Sequence, residues 1–166
     1  MEHLNAASEE DLEQVLLSCL RSLRWARRVA EHRPYPDLDS LLAAADEAAY
    51  DLGWPDLTEA LAAEPLPTLP PDMYSAAHTA LSAAHAAYEA RFGHVFVICL
   101  DGVSPSETLD RLLEAVRSRL TNDPEEERVV AADELRRLAR ERLLHALRSA
   151  APQSTSGWRR AGAINH

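Results

Sequence analysis

The stretch Ala87-Tyr88-Glu89-Ala90-Arg91-Phe92-Gly93-His94-Val95-Phe96-Val97-Ile98-Cys99 decides the fold. It joins the end of a helix, a glycine stop and the most apolar run in the chain. Val95 to Leu100 is β-branched and apolar, so local propensity favours a strand. No second strand is evident to pair with it, and a lone strand is not stable. The expectation is a buried extended or short helical segment packed among helices.

Upstream, a helix is predicted from about Asp72 to Arg91. Tyr74, His78, Leu81, His85, Tyr88 and Phe92 recur by fours and threes and share one face of it. The two imidazoles on this stripe have two readings. They are core histidines with satisfied partners, or they line a pocket as acid, base or ligand. One shared metal ion is not expected, because two helical turns separate them by about 10.5 Å along the axis. Before this helix, Glu64-Pro65-Leu66-Pro67-Thr68-Leu69-Pro70-Pro71 forbids helix and favours a stiff extended connector inside one domain.

The N-terminal part reads as helix throughout. Ser8 is a good N-cap, and Glu9, Glu10 and Asp11 place negative charge in the first turn, where the helix dipole favours it. Leu12, Val15, Leu16, Cys19, Leu20, Leu23, Ala26 and Ala30 continue as one apolar face. Arg33-Pro34-Tyr35-Pro36 breaks it. A second helix starts after Asp37 or Asp39, with Gly53 as its stop, and a short third follows Trp54-Pro55-Asp56. Downstream of the apolar run, Ser104-Pro105-Ser106-Glu107 and Asp123-Pro124-Glu125-Glu126 are two helix starts, and the last helix runs to about Leu147.

Together these elements predict an all-α, single-domain bundle of about six to eight helices over residues 1–150. Residues 151–166 read as a polar C-terminal tail, with Trp158 as its one candidate anchor. The net charge of −10 argues against nucleic-acid or anionic-membrane partners, which need clustered Lys and Arg. Cys19 and Cys99 have no short spacing, so neither a disulfide framework nor a zinc site is indicated. No membrane span or cleavable leader is evident, and a cytoplasmic protein without cofactor or metal is the default expectation.

Several patches resemble the OHCU decarboxylases, which act on 2-oxo-4-hydroxy-4-carboxy-5-ureidoimidazoline in urate breakdown. They are Leu4-Asn5-Ala6-Ala7-Ser8, Cys19, Trp25, Arg33-Pro34-Tyr35, Tyr88 to Cys99, Arg119-Leu120-Thr121-Asn122-Asp123 with Glu127, and Glu134-Leu135-Arg136-Arg137-Leu138 followed by Arg142-Leu143. The resemblance spans roughly residues 4 to 147 in order and implies an all-α bundle. It also suggests a homodimer.

The departures fall on the family's chemistry. Its catalytic histidine sits in a His-Pro pair, where this chain has Glu64-Pro65. Its Ser-x-x-Glu-Gln motif has no counterpart. Its Gly-Arg-Ser becomes Gly102-Val103-Ser104, and His85 stands where Asn is common. Arg142 matches the C-terminal arginine.

Decarboxylation needs somewhere for the electrons to go and a proton delivered to one face of the resulting carbanion. The candidate acid/base residues are Glu64, His85 and His78. Arg142 is the candidate anchor for a carboxylate, with Tyr88, Tyr74 and Phe96 as further substrate contacts. The leading expectation is a divergent enzyme of lyase, isomerase or cyclisation type acting on a small, different substrate. The alternatives are a non-catalytic ligand- or partner-binding descendant and a true ureidoimidazoline decarboxylase.

Overall fold

The computed structural model describes residues 1–150, so the expected tail and Trp158 lie outside the described residues. Eight α-helices follow in order: α1 (Glu2–Ala6), α2 (Glu9–Cys19), α3 (Leu23–Glu31), α4 (Leu38–Tyr50), α5 (Trp54–Ala63), α6 (Ser75–Phe92), α7 (Thr108–Arg119) and α8 (Pro124–Ala150). A single 3-10 turn, Pro105–Glu107, leads into α7. The all-α expectation holds, with no strand among the described residues. None of these helices is long and apolar enough to cross a membrane.

Local chemistry explains most boundaries. Ser8 accepts from the Asp11 N–H at 3.1 Å and starts α2. Asp123 and Glu126 exchange side-chain-to-backbone bonds of 2.9 and 3.0 Å, a complete capping box for α8. Gly93 closes α6 in the left-handed region at φ 78°, where a side chain is strained.

Three boundaries differ from expectation. The long first helix is two helices: Leu20 turns extended, and Ser22 caps α3 by accepting from the Trp25 N–H. The apolar periodicity runs through the break because both helices bury the same kind of face. Gly53 is the N-cap of α5 rather than the stop of α4. Finally, α6 begins at Ser75, so Tyr74 precedes it and is 86% exposed.

Two apolar clusters form the core. One gathers α1 to α5 and α8, with Trp25, Leu41, Leu61 and Leu135 fully enclosed. The other joins α6 and α7 through Leu81, Tyr88, Leu112 and Val116. The segment 94–100 is extended and runs between them. Phe96 and Ile98 enter the second cluster and Val97 the first, the two-sided alternation of a strand. Side chains take the place of a partner strand. Arg119 Nη1 donates to the Val97 carbonyl, and the Cys99 N–H donates to Glu134 at 2.7 Å.

Candidate functional site

Glu64 ends α5, and Arg142 lies in the last third of α8. Arg142 Nη1 donates to Glu64 Oε1 at 2.7 Å and Nη2 donates to Oε2 at 2.9 Å, a bidentate fork. Nη1 also donates to the Cys19 carbonyl at 3.1 Å, so the pair ties α5 and α8 to the end of α2. The Glu64 side chain is 6% exposed and that of Arg142 32%. The hydrogen bond to Glu64 pushes the Arg142 guanidinium further up from its ordinary value, against the opposing effect of burial.

The pair forms part of the wall of a cavity of about 1040 Å³. The proline connector from Pro65 to Thr68 closes one side. Val97, Ile98 and Leu100 of the extended segment form another, and Leu138 and His145 of α8 a third. His145 is exposed and follows Arg142 by three residues, hence on the same helical face. It was not singled out from the sequence. The i,i+3 spacing to Arg142 was the available signal.

The other candidates stand away from this cavity lining. His85 is 7% exposed, and its Nε2 lies 3.2 Å from the Pro67 carbonyl, to which it donates. Its Nδ1 is buried without a partner. Burial holds its pKa below the ordinary imidazole value, against the opposing bond to Pro67. His85 therefore pins the connector whose first residue is Glu64 and does not reach the cavity itself. His78 is half-buried one helical stretch earlier on α6, and Tyr74 is in solvent.

Tyr88 and Phe96 are fully buried, with ring centroids 5.1 Å apart. Tyr88 donates to Glu127 in a short hydrogen bond. Burial first and that bond second push its phenol well above the usual value. Arg119 pairs with Glu127 at 2.6 Å, and Asn122 donates to its other oxygen at 3.0 Å. The polar atoms of Tyr88, Arg119 and Glu127 all have protein partners, and neither Tyr88 nor Phe96 lines the cavity.

The motif residues near the N-terminus are scaffold as well. Asn5 and Tyr35 exchange two bonds of 2.9 Å. Trp25 donates to the Ala45 carbonyl at 2.9 Å. Arg33 Nη1 reaches the carbonyls of Leu4 and Ala7.

A family model described as OHCU decarboxylase matches residues 5–66 and 68–144. A solved structure of (S)-allantoin synthase superposes with a TM-score of 0.71 at 19% identity, over 87% of this chain and 52% of that one. This chain thus spans about half the length of that protein. A structure of OHCU decarboxylase in the presence of (S)-allantoin gives 0.69 at 22% identity, over 84% of this chain and 97% of that one. No curated protein matches the sequence.

Proposed function

We propose that this chain, which belongs to the OHCU decarboxylase family, is a decarboxylase-like enzyme whose substrate is a small molecule other than the ureidoimidazoline. The chemistry is acid/base, of lyase, isomerase or cyclisation type, and needs no cofactor. One observation carries this: a carboxylate and a guanidinium in bidentate contact line a cavity large enough for a small molecule.

The roles follow from the donor and acceptor inventory. A carboxylate held by two guanidinium N–H groups is a proton acceptor rather than a donor. Of the two roles open to it, Glu64 therefore takes that of the base. Arg142 stabilises the negative charge left on the substrate when a proton or carbon dioxide departs. His145, on the same face of α8, is the candidate donor that returns a proton to the carbanion. An anionic substrate meets three carboxylates in the wall, Glu64, Asp101 and Glu141, against the two guanidiniums of Arg142 and Arg148, and this balance favours a different substrate from the family's.

Family membership favours a second reading, decarboxylation of the ureidoimidazoline itself. A non-catalytic binder is the third, since Glu64 already engages Arg142. The homodimer suggested by the resemblance belongs to the proposal and is read by sedimentation mass.

Turnover separates these readings. Small molecules that bind the cavity are followed by proton NMR in deuterated water, with wild type and Glu64→Gln side by side. Deuterium incorporation or product formation by the wild type, lost in the variant, is expected. Binding without conversion of any bound compound removes the catalytic reading.

A further inference from the structure

Very little holds the proline connector to the fold. Pro65, Pro67, Pro70 and Pro71 have no N–H to donate. The Met73 N–H bonds back to the Pro70 carbonyl, a turn at the connector's own end. Among the described residues, the bond from His85 Nε2 to the Pro67 carbonyl is the one hydrogen bond that ties residues 65–72 to another element. Leu69, 6% exposed, adds an apolar anchor in the second cluster. The same connector supplies Pro65, Leu66, Pro67 and Thr68 to the cavity wall. His85 thus latches a strap along the cavity without lining the cavity itself.

The latch is built to hold only a neutral ring. With its Nε2–H given to Pro67, the neutral imidazole keeps Nδ1 as a lone pair, and that atom is buried without a partner. An imidazolium carries a second N–H at that place, with no acceptor to receive it. No carboxylate stands by to compensate the charge. The connector has no titratable group between Glu64 and Asp72. From the extended segment Phe96 faces the imidazole, ring centroids 5.8 Å apart, while His94 turns to Trp54 and Tyr88. On α6, Leu81 and the neutral phenol of Tyr88 flank it, Glu89 is exposed, and His78 lies two turns back. From α7, Arg119 stacks over Phe96 and is paired with Glu127.

We propose that His85 is a proton-operated latch: a proton taken up from solvent at Nδ1 releases Pro67, and the strap swings away from α6 and opens one wall of the cavity. An open strap leaves the imidazole in water at its ordinary value of 6.5, whereas the closed strap holds it lower by burial. The ratio of open to closed strap is therefore constant above pH 6.5 and rises by up to about ten-fold for each pH unit below it. This inference stands on the connector's attachment and not on what the cavity converts.

The test is an NMR titration of the full chain between pH 7 and 5, with ¹⁵N in histidine and ¹³C in the leucine methyls. The His85 ring nitrogens report protonation, and the Leu69 methyls report the strap. Leu41 and Leu135, enclosed in the first cluster, report the rest of the fold. The Leu69 signals are expected to move toward solvent-exposed positions with the same midpoint as the His85 ring, while Leu41 and Leu135 stay. In His85→Gln, which keeps an N–H for Pro67 and does not titrate, Leu69 is expected to stay as well.

Three outcomes in the wild type overturn the inference, so it does not depend on the variant folding. One is Leu69 unmoved across the range, whether or not His85 takes up its proton. Another is Leu69 moving with a midpoint different from that of the His85 ring. The third is all three leucines moving together, which is unfolding of the whole chain rather than release of a strap. A Leu69 shift of the same size in folded His85→Gln would overturn it too.

Discussion

At the scale of single residues, the two groups at the centre of the proposed site also hold the fold. Replacing Arg142 with Leu strands the Glu64 carboxylate, 6% exposed, without its donors. We expect a loss of about 3 kcal/mol in urea unfolding, the low end for a buried pair because a third of the arginine side chain meets solvent. Glu64→Gln keeps an acceptor for one N–H and costs less, about 1–2 kcal/mol. An equal or reversed order would mean that the pair contributes nothing beyond packing.

His85 gives a pH signature. Its folded-state pKa lies below the unfolded value of 6.5, because burial disfavours the imidazolium. Above pH 6.5 both states are neutral and the stability is intact. As pH falls below that value the unfolded chain takes up a proton that the folded chain resists, so stability declines. Chemical denaturation between pH 7 and 5 should show this decline in the wild type and a shallower one in His85→Gln, whose Nε2 still donates to Pro67. Identical slopes would contradict it. These roles were only half legible. The residue types were visible, but Glu64 and Arg142 meet across 78 positions, and no spacing rule reports that.

At the scale of elements, the sequence was most informative where a boundary is chemically local. Ser8, Gly93 and the Asp123–Glu126 box could each be read from a few neighbouring residues, because a cap is satisfied within one turn. Asp123→Ala should cost about 1 kcal/mol, seen as a lower urea midpoint with an unchanged slope. An unchanged midpoint would show that the box is decorative.

The break between α2 and α3 was not legible. Leu20 and Leu23 keep the helical period across it, and Ser22, the cap of α3, sits fully buried inside that apolar run. The extended segment was half legible. Its propensity said strand, and its lack of a partner strand said otherwise. The resolution, Arg119 and Glu134 satisfying Val97 and Cys99, depends on helices that follow it in the chain.

At the scale of the whole molecule, two apolar clusters meet along that segment, and the Arg119–Glu127–Tyr88 knot binds the seam. Arg119→Met leaves Glu127 buried and unpaired, and we expect a loss of about 3–5 kcal/mol. Ligand binding in the cavity should persist in whatever fraction stays folded, since Arg119, Glu127 and Tyr88 lie outside its lining. Loss of ligand affinity in the folded fraction would place the knot in the site.

The resemblance was read on residues that build this scaffold: Asn5, Trp25, Tyr35, Tyr88, Arg119 and Glu127. That is why it gave the fold and left the chemistry open. By that resemblance Glu64 falls where the family has a histidine, and it lines the cavity wall.

Carbon dioxide release and absorbance decay on freshly generated ureidoimidazoline test this most directly, run against a no-enzyme control because the compound decays unaided. The account predicts the control rate within error, since Glu64 already holds Arg142 and repels the anion. Clear acceleration by the wild-type chain would contradict it and return the protein to the family's own reaction.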